Sequence, residues 1–149
     1  MKQFQTRVLQ IGLLALFTAC FSLVAAAQGS DWNRVVDGLN IHLGVQPANL
    51  VPGAIKNAPS SKDSYHLVIV LFDASSGKPV EGAQVKTTVT EIGLSGVRKT
   101  MEALNIKNGA NYYGNFFTML PGRGPYRIAV EIRGVKDRDQ VETTFEYSP

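Results

Sequence analysis

Beyond residue 27 the chain offers two imidazoles, His42 and His66, and two thioethers, Met101 and Met119, as soft or borderline metal donors. Its one cysteine, Cys20, lies before that point. Imidazole accepts Cu(II) and a thioether favours Cu(I), so this mixture suits copper outside the reducing cytoplasm. No H-x-H or H-x3-H spacing groups the histidines. His42 falls on the polar face of one alternating segment and His66 opens the next. If the two segments pair antiparallel around the loop between them, both rings meet on the ladder. The expected metal set is therefore His42 and His66, with Met119 as a third donor. Met101 has a different expectation: counted outward from Asn108-Gly109 it faces Phe116, a sulfur–aromatic contact of core type.

Other chemistry is thin. Ser75-Ser76-Gly77-Lys78 matches S-x-x-K, but that motif needs its serine at a helix start together with further partner motifs. Here it sits among turn residues, and a turn is the expected structure. No G-x-S-x-G and no phosphate-binding loop occurs. Asp137 and Asp139 flank Arg138 in a short polar stretch that reads as a solvated hairpin rather than an acid/base pair. These residues predict a protein that is not an enzyme and has no catalytic residue. Tyr112, Tyr113, Phe116 and Phe117 crowd one strand. Because side chains alternate across a sheet, two point inward and two outward, and the outward pair is a candidate partner surface.

The elements that must position these residues are strands. Leu39, Ile41, Leu43 and Val45 alternate with polar residues, a period of two. Pro47 ends this run, and 47–64 reads as a long loop with three prolines. Residues 65–72 are apolar on both faces except for His66, as suits a central strand. Further strands are expected at 83–90, 98–107, 110–119, 126–133 and 141–147. Asn108-Gly109 is a hairpin signal, since a type I′ turn needs positive φ at both central residues. Seven strands at short spacing, with no amphipathic helix, predict an all-β sandwich of two antiparallel sheets.

The N-terminus carries an address. Lys2 and Arg7 precede an almost wholly apolar stretch, 8–27, ending in Ala25-Ala26-Ala27, an A-x-A cleavage pattern before Gln28. The segment is also nearly long enough to span a bilayer uncleaved. Phe17-Thr18-Ala19-Cys20 loosely matches a lipid-attachment motif, but the apolar run continues past Cys20. The expected division is a signal peptide over 1–27, a lead-in over 28–38 and a sandwich over 39–149, in a periplasmic or secreted setting. Two of the fifteen basic residues and none of the twelve acidic ones lie in the signal. Thirteen against twelve remain, a net charge of +1, which points away from nucleic acid. Membrane contact is expected only through the signal segment, if it is uncleaved or lipidated at Cys20.

FDASSGKPVEGAQV resembles the strand–turn–strand signature of bacterial extracytoplasmic immunoglobulin-like domains. LPGRGPYRIAVEI resembles their corner before the sixth strand, which puts Tyr126 at the tyrosine-corner position. The layout is similar to YtkA-like and FixH-like periplasmic domains and, more loosely, to carboxypeptidase-regulatory-like modules. The resemblance implies a seven-stranded immunoglobulin-like sandwich. Because so little chemistry is present, the expected role is a non-enzymatic accessory or binding module of the cell envelope, with a protein partner and no cofactor. A periplasmic metal-handling protein using copper or iron is the alternative.

Overall fold

The computed structural model describes residues 32–51, 58–105 and 111–149. Among them, nine strands form two antiparallel sheets packed face to face. In chain order these are β1 (Asn33–Val36), β2 (Leu39–Pro47), β3 (Ser64–Asp73), β4 (Gln84–Glu91), β5 (Val97–Thr100), β6 (Glu102–Asn105), β7 (Asn111–Thr118), β8 (Tyr126–Arg133) and β9 (Gln140–Tyr147). One sheet has the order β1-β2-β3-β7-β6, the other β5-β4-β8-β9.

The alternation read from the sequence decides which face goes in. Leu39, Ile41 and Leu43 of β2 and Tyr65, Leu67, Ile69 and Leu71 of β3 are buried between the sheets. They meet Val85 and Val89 of β4, Ile128, Val130 and Ile132 of β8, and Val141 and Phe145 of β9. β3 lies between β2 and β7, the central position its two-sided apolar pattern predicts. The buried Tyr113 hydroxyl accepts a hydrogen bond from the Ala83 N–H at 3.1 Å, tying β7 to the start of the opposite sheet. Trp32 packs edge-on against Tyr147 at 5.7 Å between ring centroids, covering the flank where the two sheets' outer strands approach.

Three features differ from expectation. The lead-in contains a strand, β1, paired with β2 through Asp37-Gly38. Both turn residues have positive φ, 48° and 71°, the signature of a two-residue hairpin turn. The single strand expected over 98–107 is two strands in different sheets. β5 pairs with β4 and β6 with β7, and the chain crosses between sheets at Met101, whose N–H donates to the Val85 carbonyl at 2.8 Å. The β6–β7 register pairs Glu102 with Gly114, one residue away from that of a two-residue turn at Asn108-Gly109. Met101 is therefore a core residue, as expected, but outside the strand pair and not opposite Phe116. Residues 1–27 with Cys20, the expected signal peptide, and Asn108-Gly109, the expected turn, lie outside the described residues.

Tyr126 is buried at the start of β8, and its hydroxyl accepts a hydrogen bond from the Leu120 N–H at 2.7 Å, six residues upstream. This is the tyrosine-corner geometry: the ring anchors in the core and the hydroxyl pins the preceding loop. Removing the hydroxyl leaves a part-buried N–H unpaired. Tyr126→Phe is expected to lower stability by about 1–3 kcal/mol in urea unfolding. A change within error would show that the loop holds its shape without this bond.

Candidate metal centre

The candidate donors divide between the two faces of the five-stranded sheet. Residues opposite one another on neighbouring strands share a face, so Gln46, His66 and Phe116 form one row on the side away from the core. Gly44, Val68, Gly114 and Glu102 form the next, and Asn33, His42, Val70, Tyr112 and Leu104 the one after. Both histidines therefore stand on the outer face. Met101 and Met119 are buried in the inter-sheet core instead. The expectation that Met119 joins the histidines fails on the pleat: its side chain is on the opposite side of the sheet.

The two histidines do not converge. β2 and β3 pair antiparallel as expected, but His66 lies opposite Gln46 and His42 opposite Val70. A four-residue stagger at about 3.4 Å per residue separates the two Cα atoms by about 14 Å. Strand side chains stand roughly perpendicular to the sheet and cannot close that gap. One ion with metal–nitrogen bonds of about 2 Å cannot bind both. Periodicity showed that the residues share a face; their register along the ladder decides the distance.

The two environments also differ. His42 is half-buried and stacks edge-on against Phe72 at 5.6 Å. His66 is only 1 % exposed although it faces outward. Phe116 lies beside its ring, centroids 4.7 Å apart. The corner Ala48–Leu50, after β2, packs against β3, and Ala48 and Val51 are buried outside the inter-sheet core. Gly114 provides the space. A Cβ built there would sit 2.6 Å from His66 Nε2 and 3.1 Å from Leu104 Cδ1, so any other residue would displace the ring. Among the described residues neither His66 nitrogen has a hydrogen-bond partner. Burial pushes the His66 imidazole below the usual histidine range, which keeps it neutral, the form that ligates metals.

The remaining sequence candidates are accounted for structurally. Ser75 and Ser76 donate hydroxyl and backbone hydrogen bonds to Asp73, the Ser75 hydroxyl at 2.6 Å. These bonds, the Ser75 hydroxyl's first, hold the Asp73 carboxyl well below the usual carboxylate range. S-x-x-K is a turn, with Gly77 at φ 67°. Arg138 donates to the carbonyls of Asp37 and Gly38 and lies 3.5 Å from the Asp73 carboxylate, tying together one end of the sandwich, while Asp137 and Asp139 are exposed. Of the four aromatics, Tyr113 and Phe117 are buried in the core, which removes them from any partner surface. Tyr112 and Phe116 face outward, half-buried. The large exposed apolar residues beside β4 and β5 are Ile92, Leu94 and Val97, which the strand pattern did not single out.

No protein-family model and no curated protein sequence matches the chain. In structure it is similar to a copper-bound variant of FetP from uropathogenic Escherichia coli strain F11, with TM-score 0.60 and 12 % identity over 77 % of this chain and 91 % of that one. It is likewise similar to copper-reconstituted P19 from Campylobacter jejuni, with TM-score 0.60 and 12 % identity over 78 % and 94 % of the two chains. A copper-bound variant of the same P19 gives 0.58 and 15 % over 78 % and 93 %. At such identities the likeness is one of fold. These copper-bound neighbours overturn the expectation of a sandwich without a cofactor.

The His66 pKa has a consequence for stability. The unfolded chain protonates this imidazole near pH 6.5, whereas the folded chain does so only at lower pH. Below about pH 6.5 the unfolded state binds more protons, so stability falls with pH until the folded pKa is reached, by at most about 1.4 kcal/mol per unit. The metal-free protein is expected to lose more stability between pH 7 and 5 than its His66→Leu variant, measured by urea unfolding. Parallel profiles would mean that the ring titrates normally and is not sequestered.

Proposed function

We propose that this protein is an extracytoplasmic metal-handling sandwich whose ion is copper and whose anchoring ligand is His66. The observation that carries the reading is a neutral, buried imidazole, both nitrogens without a partner among the described residues, on the outer face of the five-stranded sheet. An unsatisfied buried polar group costs about 1–3 kcal/mol, a cost that an ion bound to the nitrogen would offset. Imidazole is a good copper ligand, and copper-bound neighbours with the same fold support the choice of ion. The apolar stretch 8–27 and its A-x-A ending support a setting outside the cytoplasm.

The donor set limits the kind of site. Among the described residues no three His, Cys, Asp or Glu side chains gather as a metal cage. Both thioethers face the core. An ion held at His66 keeps open coordination positions, which suits exchange with another carrier better than storage. His42, about 14 Å away along the sheet, is a separate and weaker position. The accessory-module reading takes second place; the exposed Ile92, Leu94 and Val97 are the observation in its favour.

Competition titration of the purified chain with Cu(I) and Cu(II) tests the proposal. One equivalent is expected to bind, with His66→Ala weakening affinity at least tenfold and His42→Ala by less than threefold. Binding indifferent to His66→Ala, or no binding at all, would remove the reading.

A further inference from the structure

We propose that Glu102 is the second protein ligand of the ion anchored at His66, and that this makes the site selective for Cu(II) over Cu(I). The inference rests on the copper reading above. Glu102 lies directly opposite Gly114 on the neighbouring strand, so its side chain leaves from the same outer face. Cross-strand Cβ positions are about 4.5–5.5 Å apart, and the His66 ring already overlies the place where a Gly114 Cβ would be. Gly114 itself puts no side chain between the Glu102 stem and His66 Nε2, which lies over it, and a glutamate is long enough to span one strand spacing. Leu104 Cδ1 borders the same space as an apolar wall.

Two further facts favour Glu102. It is the one carboxylate among the described residues on the strands of that face. None of the ion pairs among the described residues uses it, and it is exposed, so its carboxylate is free to turn inward. The second donor type determines the ion. A hard carboxylate oxygen beside an imidazole nitrogen, with both thioethers in the core, suits a divalent ion; Cu(II) binds such a set more tightly than its divalent neighbours. Cu(I) prefers sulfur and gains little from Glu102.

The test is Cu(II) and Cu(I) titration of the full chain, its Glu102→Gln variant and its His66→Ala variant, with electron paramagnetic resonance of the Cu(II) forms. Glu102→Gln is expected to weaken Cu(II) at least tenfold, to leave Cu(I) within threefold and to change the Cu(II) spectrum. Its melting temperature should stay put, since the residue is exposed. If His66→Ala weakens Cu(II) but Glu102→Gln leaves affinity and spectrum unchanged, the Glu102 assignment fails and the copper reading stands. If neither substitution matters, both fail. An equal loss of Cu(I) and Cu(II) in Glu102→Gln overturns the selectivity.

Discussion

Gly114 has no side chain, and the ring of His66 fills the space that one would take. The candidate site depends on this steric fact. It lets an imidazole on the outward side of a central strand be almost fully buried, with Phe116 beside it and the corner after β2 packed on the same strand. Burial keeps the ring neutral. No hydrogen bond from the described residues compensates it. A core position would ordinarily carry a leucine or valine in such surroundings, because an unpaired polar group there is a net loss.

The same strand shows how much was legible beforehand. The two-sided apolar character of β3 announced a central strand, and His66 was its one exception. Alternation in β2, β8 and β9 placed the core face correctly, because a period of two can bury only one set. Distances along a ladder are a different matter. Register follows from the turn and loop that join two strands, so His42 and His66 shared a face without being neighbours. Nothing in the pattern of 98–107 marked the point where the chain leaves one sheet for the other; Met101 reads as one more apolar residue in an extended run. Asp37-Gly38 did carry a signal for β1, but Asn33–Val36 is too short to alternate visibly.

The aromatic run on β7 illustrates the division that the pleat imposes. Tyr113 and Phe117 build the core, and Tyr113 bonds across to the other sheet. Tyr112 and Phe116, one residue earlier in each case, face outward, where Phe116 flanks the histidine. The four rings serve two layers, and of the outer pair Phe116 flanks His66 while Tyr112 stands in the row of His42. The copper-bound neighbours share the fold at identities of 10–15 %, so function here has to be argued from this face and its own donors.

The central claim is that copper binds at His66. Nuclear magnetic resonance of the imidazole and nearby backbone signals during sub-stoichiometric Cu(II) addition observes this directly, because the paramagnetic ion broadens the resonances closest to it. The account predicts that the signals of His66, Phe116 and Gly114 vanish first, while those of His42 persist. Loss of the His42 signals first, with His66 unaffected, would contradict it.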